Sequence, residues 1–597
     1  MRRHSEPGAR GGDILRPARG LAPPPSPLWA EAAPPDPERV EVFVRALGLP
    51  RPLCAVLVSR GMEDPEEAKA FLRPLLTGLH SPEAMVDLPR AVTRIREALA
   101  ADETVLVHGD YDVDGMAGAA LLTRWLRRLG GRAVPFVPHR LRHGYDLGPA
   151  GLEAAERAGA TLLVTVDCGI LAHHTVEEAR RRGMDVIITD HHTPGSTLPD
   201  AVAVLNPARE DCDYPFRRLC GAGVAYKLCH GLARAADLPE EALHPFLDLV
   251  GVATVADLVP LEGENRILAR FGLRALARTA NPGLGALMAE AGVDPESVSS
   301  GTVAFVLAPR LNALGRLGDS DVGLELLLTD DPSRAAALAR EAEERNRERR
   351  EMDGRTLTEA MSQLSGTFDP EEDFGVVLAS DAWHPGIVGI VASRVVERIH
   401  RPAVLVALEG EVGKGSARSI PGFHLLEAVQ ACSHHLVRFG GHRQAAGMEI
   451  RRSELEAFRE AFNREARRRL EGEDLRPTLV SELVVELEEM SPDLHKYLRY
   501  LGPHGLGNPR PVFLARDVVF SGPPRVVGKD HLKARLRQGR SELDAIGFHL
   551  ARRIRPAGLG REPVDVAFHL QENEYRGRRT LQARLRDIRL AASREEV

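Results

Sequence analysis

The sequence predicts an α/β protein in which a parallel-sheet domain is joined by a long helix to a second α/β domain, followed by a small closed β-barrel. Apolar strand-like runs alternate with helix-like segments over residues 104–189, which predicts a parallel sheet with right-handed crossovers. A charged, alanine-rich stretch after Pro332 predicts one long helix. Short strand-like runs separated by turns over residues 476–593 predict the barrel.

The first strand of the predicted sheet ends in a cluster of acidic residues. Residues 104–108 (TVLVH) are β-branched and apolar, and Asp110, Asp112 and Asp114 follow within five residues. If the chain stays extended, alternation places His108 on the same side as the three carboxylates. Three such charges repel one another unless a cation lies among them. An acidic turn in solvent is the alternative for this stretch taken alone.

The same pattern occurs twice more along the chain. The apolar run 161–166 (TLLVTV) ends in Asp167, and the run 185–189 (DVIIT) ends in Asp190, His191 and His192. In parallel sheets the carboxyl ends of the strands meet at one edge, where ligands gather. All three strands therefore deliver carboxylates or imidazoles to a single edge, which predicts a site for hard cations.

The ligand chemistry of this edge indicates which ion it holds. Carboxylates with one or two histidines and no thiolate suit Mn²⁺ or Mg²⁺ better than a structural zinc. The acidic groups exceed what one ion needs, so two ions roughly 3.5–4 Å apart are expected. The reaction class that follows is metal-assisted hydrolysis of a phosphoester.

Seven motifs in order carry a resemblance to a known family. The segments HGDYDVDG (108–115), DCG (167–169), DHH (190–192) and GVATVADLVP (251–260) resemble the four signature motifs of the DHH phosphoesterase superfamily. The segments WHPGIVGIVASR (383–394), GKGSARS (413–419) and FGGH (439–442) resemble the RecJ family within it, bacterial 5′→3′ exonucleases specific for single-stranded DNA. The resemblance runs from about residue 40 to the end, and it implies that the second α/β domain is a DHH-associated domain and the barrel an OB-fold.

The resemblance implies a role for each metal-site residue. It assigns Asp112 and Asp167 to one ion, and Asp114, Asp167, His191 and Asp257 to the other, with Asp167 bridging. Pyrophosphatase-type relatives use a histidine at the position of His108, whereas many RecJ-like proteins have an apolar residue there, so His108 is a candidate ligand with both outcomes open. Asp110 and His192 are expected to orient the ligands or face the substrate, as catalytic groups.

The resemblance also implies substrate-binding residues. Arg310 and Arg316 flank a segment near the substrate, and a bidentate arginine would suit a 5′-phosphate. The glycine-rich segment 413–419 is expected to hold a phosphate through its backbone N–H groups, Ser416 and Arg418. His442 is expected to face the scissile group. The alternatives are ordinary surface arginines, a simple glycine turn and a structural histidine.

The domain organisation is predicted from composition and periodicity. The expected segments, in order, are a disordered tail (1–38), a helical cap packed on the first domain (39–100), the DHH domain (101–330), a solvent-spanning connector helix (331–366), the DHH-associated domain (367–475) and the OB-fold (476–597). The connector is expected to be solvated because its apolar face is narrow.

Charge and cysteine usage indicate partners and compartment. The chain has a net charge of −7, but residues 501–597 carry 19 Lys and Arg against 11 Asp and Glu, which favours a groove for single-stranded DNA. Six cysteines without a CxxC pair, and no apolar leader, favour a cytoplasmic protein with no membrane partner. A zinc set formed by Cys212, Cys220, Cys229 and His230 has the wrong spacing. The resemblance adds single-strand-binding protein and a RecQ-type helicase as possible partners.

The predicted function is a single-stranded-DNA exonuclease of DNA repair and recombination that degrades from the 5′ end with two metal ions. One alternative is a nanoRNase or cyclic-dinucleotide phosphodiesterase of the same superfamily, which is generally shorter and lacks the basic barrel. Another is a non-catalytic DNA-binding scaffold, whose signature would be lost carboxylates. The sequence retains every expected carboxylate.

Overall fold

The computed structural model describes residues 26–144, 146–318, 320–554, 559, 562–575 and 577–591. Its strands are β1 (Leu28–Glu31), β2 (Thr104–Gly109), β3 (Arg132–Phe136), β4 (Ala160–Val166), β5 (Asp185–Thr189), β6 (Ala203–Leu205), β7 (Val376–Ser380), β8 (Ala403–Glu409), β9 (Val412–Arg418), β10 (Leu436–Gly441), β11 (Ala445–Arg451), β12 (Thr478–Ser481), β13 (Leu483–Val484), β14 (Phe513–Phe520), β15 (Arg525–Val527), β16 (His531–Gln538), β17 (Ser541–Gly547), β18 (Val564–Tyr575) and β19 (Arg578–Leu590).

The α-helices are α1 (Pro37–Leu47), α2 (Arg51–Ser59), α3 (Pro65–Leu72), α4 (Leu88–Ala100), α5 (Val113–Arg128), α6 (Arg140–His143), α7 (Pro149–Ala158), α8 (His173–Arg181), α9 (Gly221–Ala235), α10 (Leu247–Ala256), α11 (Gly263–Leu276), α12 (Pro282–Glu290), α13 (Ser300–Thr302), α14 (Ala308–Leu317), α15 (Ser320–Leu328), α16 (Pro332–Leu364), α17 (Val388–Ile399), α18 (Leu425–Ala431), α19 (Leu455–Leu470) and α20 (Pro492–Leu498). Among the described residues, no helix has the length and apolar character that crossing a membrane requires.

The chain divides into two compact units. Residues 73–349 and 501–509 form the parallel-sheet unit, and the other described residues form the barrel unit. The helices of the predicted cap are shared between them, because α1 to α3 belong to the barrel unit and α4 to the parallel-sheet unit.

The parallel-sheet unit is built on five strands in the order β3-β2-β4-β5-β6, all parallel. Alternation along β2 divides its side chains between two cores. Val105 and Val107 lie in the core that also holds residues of α4, α5, α9 and α10, whereas Leu106 lies in the core with α7 and α8. The predicted parallel sheet is confirmed, and it directs the ends of β2, β4 and β5 to one edge.

The barrel unit contains a second five-stranded sheet, in the order β10-β11-β9-β8-β7, in which only β7 and β8 run parallel. The predicted glycine-rich phosphate loop 413–419 is mostly strand β9, which pairs with β8 on one side and β11 on the other. Because both edges of β9 are occupied by neighbouring strands, the prediction that its backbone N–H groups hold a phosphate is wrong.

The C-terminal strands form the predicted barrel. The sheet order is β13-β14-β18-β19-β17-β16-β15, and an additional pairing of β14 with β16 closes it. Strands β18 and β19 form a long antiparallel hairpin.

Two further sequence predictions, on the N-terminal tail and the connector helix, need correction. Residues 1–25 of the predicted disordered tail lie outside the described part, but Leu28–Glu31 forms β1, which pairs in parallel with β12. The Trp29 indole N–H donates to Asp587 Oδ2 at 2.9 Å. Helix α16 is not simply solvated either. Its first half contributes Leu338, Ala339 and Ala342 to the core of the parallel-sheet unit, and its second half contributes Leu357, Ala360 and Leu364 to a core of the barrel unit.

Candidate metal centre

The loop after β2 is held close to the first turn of α5 by two glycines. A Cβ on Gly109 would lie 2.4 Å from the Gly115 carbonyl oxygen, and a Cβ on Gly115 would lie 2.3 Å from the Asp110 nitrogen. Neither position has room for a side chain. Asp112 is the N-cap of α5, and its Oδ1 accepts the N–H groups of Asp114 at 2.9 Å and Gly115 at 3.2 Å. The three aspartates therefore lie on a tight turn instead of an extended strand.

Asp114 is a fully buried carboxylate held by the start of another helix. Its Oδ2 accepts the Gly221 N–H at 2.6 Å and its Oδ1 accepts the Ala222 N–H at 2.8 Å, both in the first turn of α9. A helix N-terminus favours negative charge. Burial and the Asp112 charge nevertheless outweigh these bonds and raise the pKa of Asp114 to about 7.

Asp167 follows β4 with a left-handed backbone, φ 65°. Its N–H donates to the Thr189 carbonyl at 3.0 Å, which ties it to the end of β5. The side chain is buried, and Oδ1 lies 3.0 Å from His191 Nε2, although neither atom forms a well-directed hydrogen bond among the described residues. A strained backbone with buried polar atoms left for a ligand is typical of a functional site.

Asp190 serves its neighbours instead of joining the ligand groups. Its Oδ1 accepts the N–H groups of His191 at 2.7 Å and His192 at 3.1 Å and contacts His192 Nδ1 at 2.7 Å, while Oδ2 accepts the Ile170 N–H at 2.9 Å. Although burial opposes it, this contact raises the pKa of His192. Asp190 therefore fixes the orientation of the His192 imidazole and the backbone of His191, as outer partners of metal ligands do.

Three groups of candidate ligand atoms in the parallel-sheet unit lie within coordinating reach, and they share members. In each group all atoms lie within 4.8 Å of one another; the groups are Asp110, Asp112 and Asp167; Asp114, His191 and Asp257; and Asp167, His191 and His192. Asp167 therefore adjoins both the acidic turn and the histidine pair. Every predicted ligand other than His108 is in one of these groups, together with the predicted catalytic residues Asp110 and His192.

The electrostatics of the cluster fit a divalent cation. Burial, followed by the charges of neighbouring carboxylates, raises the pKa of Asp110, Asp167 and Asp257 well above the usual value. A cation among them removes this repulsion. Burial and the charge of His192 lower the pKa of His191 to about 4, so its imidazole is neutral and able to ligate at neutral pH. Carboxylate and imidazole ligands without thiolate suit Mn²⁺ or Mg²⁺.

His108 does not join these groups among the described residues, so its role as a ligand, for which both outcomes were open, stays a prediction without support from this geometry. Its Nδ1 lies 3.5 Å from Cys168 Sγ, and its Nε2 faces α7, where a Cβ on Gly151 would approach it to 2.9 Å. The reason is that the chain turns at Asp110 after β2 ends, so the alternation that placed His108 beside the aspartates does not continue.

A cavity of about 170 Å³ adjoins the acidic turn. Asp112, Asp114 and Asp257 line it together with Arg140, Asn312 and Arg316. Two arginines beside carboxylates provide a place where a phosphate would meet both cations and metal ligands. The predicted Arg316 is in this cavity, whereas Arg310 is 11% exposed and pairs with Glu343 at 2.6 Å. The Arg310 guanidinium, which was predicted to contact a phosphate, is thus paired with a carboxylate of the protein itself.

Several residues that shape this site were not predicted from the sequence. Arg140 lies over the Tyr111 ring at 4.8 Å, and Asn312 Oδ1 accepts the Val113 N–H at 3.3 Å. A Cβ on Gly221 would lie 2.5 Å from the Asp167 Cβ. No local pattern marks Arg140, Asn312 or Gly221, because each contacts the site from a segment remote in sequence. The one local signal is the glycine-rich sequence CGAG (220–223) at a helix start, which indicates close approach of the backbone at Gly221.

The predicted residues of the barrel unit form a separate cluster. Arg418 Nη1 donates to Ser416 Oγ at 3.0 Å, and both side chains approach the first turn of α17, where a Cβ on Gly389 would lie 2.9 Å from Ser416 Oγ. A serine and an arginine at a helix N-terminus make a favourable place for an anion. His442 is exposed in the turn between β10 and β11, and its Nδ1 accepts the Gln444 N–H at 3.3 Å.

Comparisons with known proteins agree with this architecture. Residues 104–254 match the DHH family, N-terminal domain; residues 372–468 match the DHHA1 domain; and residues 481–587 match the RecJ OB domain. The fold, the metal site and these matches define a protein of the DHH class.

Individual relatives narrow the assignment to one family within this class. The single-stranded-DNA-specific exonuclease RecJ of Dickeya dadantii (strain 3937) is 38% identical over 555 residues, which cover 89% of this chain and 95% of that protein. The crystal structure of RecJ from Thermus thermophilus in complex with Mn²⁺ matches with a TM-score of 0.81 and 32% identity, covering 94% of this chain and 79% of that one. Its Mg²⁺ complex matches with a TM-score of 0.76, 31% identity and coverages of 94% and 78%. The chain belongs to the RecJ family.

Proposed function

We propose that this protein is a metal-dependent exonuclease that hydrolyses single-stranded DNA from the 5′ end, in DNA repair and recombination. The observation that carries the proposal is the position of Asp167 between the acidic turn and the histidine pair, beside a cavity with two arginines. Relatives named for single-stranded-DNA-specific exonuclease activity, of similar length, support the substrate.

The residues fit two ions of Mn²⁺ or Mg²⁺. Asp110, Asp112 and Asp167 would hold one, and Asp114, Asp167, His191 and Asp257 the other. When bound, such ions activate water and stabilise the charge that develops on a phosphoester. Asp110 is thus proposed as a ligand in addition to its predicted catalytic role. Diffraction from crystals soaked in Mn²⁺, measured at the manganese edge, would count the ions and identify their ligands.

The chain's own residues bind and orient the strand around this centre. Arg140 and Arg316 would hold the phosphate next to the scissile bond through charge-assisted hydrogen bonds. His192, whose pKa Asp190 raises, would retain a proton near that phosphate. Ser416 and Arg418 are proposed to bind the terminal phosphate, His442 to face the scissile group, and the basic barrel to follow the backbone.

Polarity and strand specificity can be tested together. Single strands labelled at the 5′ or 3′ end, and the same strands in a duplex, are incubated with the protein and Mn²⁺. Early release of the 5′ label from single strands alone is expected. Release from the 3′ end first, or equal cutting of the duplex, would contradict the proposal. Asp167→Asn serves as the inactive control.

The alternatives make different predictions. A dinucleotide phosphodiesterase would cleave dinucleotides faster than long strands, and the basic barrel argues against this. A non-catalytic scaffold would bind without cutting, and the clustered carboxylates argue against that.

We also propose a cytoplasmic location, with single-strand-binding protein and a RecQ-type helicase as partners, on the resemblance alone. Co-elution of each purified partner with the protein in size-exclusion chromatography would test the interactions.

A further inference from the structure

Phe305 is an aromatic residue that the fold presents to solvent. It is 83% exposed, more than any other large apolar side chain that the structure describes. Its neighbours Val303 and Leu307 are completely buried in the core of the parallel-sheet unit. An isolated exposed apolar side chain is ordinary, but a phenylalanine exposed to this degree in the middle of a helical stretch is not.

A local distortion of the helix coincides with this exposed residue. Val303–Leu307 is a π-helical turn, closed by a hydrogen bond from the Ala308 N–H to the Val303 carbonyl. Pro309 cannot donate to the Phe305 carbonyl four residues earlier, and its ring crowds that carbonyl, which favours the wider turn.

The buried neighbours set the direction in which Phe305 points. Val303 and Leu307 lie about one turn apart on the core face, and Phe305 lies two residues from each of them. Two residues correspond to about half a turn, so the ring points nearly opposite to the core. π-turns such as this one occur frequently at functional sites.

The same helical stretch reaches the metal centre. Residues 300–317 run continuously through α13, the π-turn and α14, and Asn312, Gly315 and Arg316 of α14 line the cavity beside Asp112 and Asp257. Phe305 precedes Asn312 by seven residues, which is about 10 Å along the helix axis. That distance equals the rise of about three stacked nucleotides.

From these observations we propose that Phe305 is a positioning residue that stacks on a base of the single strand, a few nucleotides from the phosphate held in the cavity. The inference rests on the proposed function and specifies a contact within it. An aromatic ring accepts any base because every base has a π-face, which suits an enzyme that reads no sequence. Stacking also requires an unpaired base, so this contact favours single strands over duplexes.

The test compares Phe305→Ala, Phe305→Trp and Phe305→Leu with Leu75→Ala. Leu75 is the matched control, because it is 65% exposed in the same unit and is not among the described residues that line the cavity or form the ligand groups. Binding of a 5′-phosphorylated oligothymidylate is measured by fluorescence anisotropy, with each change made in an Asp167→Asn background so that the strand stays intact. Phe305→Ala should weaken binding about 10-fold, Phe305→Trp should restore it and Phe305→Leu should not.

An abasic scan separates stacking from a structural effect. Each oligonucleotide in the scan lacks one base, at successive positions from the 5′ end. Its affinity is measured for the protein that retains Phe305 and for Phe305→Ala. At one position, loss of the base should weaken binding to the protein that retains Phe305. The same loss should not weaken binding to Phe305→Ala any further, because the two changes remove the same contact. 2-Aminopurine at that position should be quenched by Phe305 only.

Each outcome bears on one proposal. Equal abasic losses with Phe305 and with alanine, or unchanged binding in Phe305→Ala, would overturn the stacking contact, and would favour a protein partner for this residue. Failure of the unsubstituted protein to cut any single strand would instead overturn the proposed function. A loss of binding in Leu75→Ala equal to that in Phe305→Ala would also contradict a specific role.

Discussion

The two five-stranded sheets of this protein present their chemistry in different ways. The parallel sheet places its candidate ligands in the loops after β2, β4 and β5, where Asp167 has φ 65° and Asp114 depends on two backbone N–H groups of α9. The mixed sheet presents Ser416 and Arg418 from β9, whose backbone is fully paired with its neighbours.

The difference shows where each site is vulnerable. Parallel strands bring distant loops to one edge, so the metal centre depends on exceptional backbone conformations and on glycines without room for a Cβ. Side chains two apart on a strand share a face without any such exception. An added methyl group on a glycine beside the ligand loops should therefore displace the backbone of the metal centre. At the β9 site an added methyl group on Gly389 would meet the side chains of Ser416 and Arg418, and the β9 backbone would keep its pairing.

Asp167→Asn should have the largest effect. It removes the carboxylate between the acidic turn and the histidine pair. Loss of a residue that only orients a metal ligand lowers activity by up to about 100-fold, so the cleavage rate of this variant should fall by more than that. Isothermal titration with Mn²⁺ should show weaker binding and a smaller number of sites. Binding of single-stranded DNA should be largely retained. Wild-type cleavage by this variant would show that Asp167 is not a ligand.

Gly221→Ala tests the dependence on backbone space. The added Cβ would lie 2.5 Å from the Asp167 Cβ and 2.8 Å from its Oδ1, so Asp167 must shift. Cleavage should fall about 10- to 100-fold, since the geometry of the ligands is disturbed. Gly148→Ala is the control, because its φ is −120° and no atom lies within 4 Å of an added Cβ. Equal effects of the two changes would remove the proposed distinction between the sheets.

Arg418→Ala tests the strand-built site. Loss of a charge-assisted hydrogen bond should weaken binding of a 5′-phosphorylated strand about 10-fold, and a strand with a 5′-hydroxyl should bind both forms similarly. Arg418→Lys should recover part of the affinity, since the charge remains but the planar fork is lost. An equal loss with both strands would place the terminal phosphate elsewhere.

The pH dependence of the metal-free protein should give the smallest effect. Folding raises the pKa of Asp114 to about 7, so between about pH 4 and 7 the folded state binds more protons than the unfolded state. Its stability should therefore fall as the pH rises through this range, by at most about 1.4 kcal/mol per pH unit for this group. Urea unfolding at several pH values measures the slope, and Mn²⁺ should abolish it. A metal-free stability that rises with pH would contradict the buried, crowded carboxylates.

Much of this arrangement could be predicted from the sequence, because the periodicity of β2, β4 and β5 and the residues after them follow from local pattern. Asp257 could be chosen only through the family resemblance, since a carboxylate at the end of a helix has no distinguishing pattern. Gly221, Asn312 and Arg140 act on the metal-site loops from remote segments. His108 lies apart from the ligand groups because β2 ends at Gly109, so its alternation does not continue to the aspartates.

Two further errors arise because pairing with a strand remote in sequence overrides the local pattern. The glycines of residues 413–419 suggested a loop, but pairing with two neighbouring strands overrides their low strand propensity. Leu28–Glu31 lies in a proline-rich stretch and becomes a strand only because β12 offers a partner.

The short strand β1 has a practical consequence for anyone shortening the gene. A product beginning at residue 39, where periodic sequence starts, would lack the segment that covers one edge of β12, and Val480, already 53% exposed, would border an open row of backbone groups. The buried Asp587 would lose its indole donor, and Arg589 the ring it lies over at 4.7 Å. Such a product should precipitate more readily, however complete its catalytic residues are.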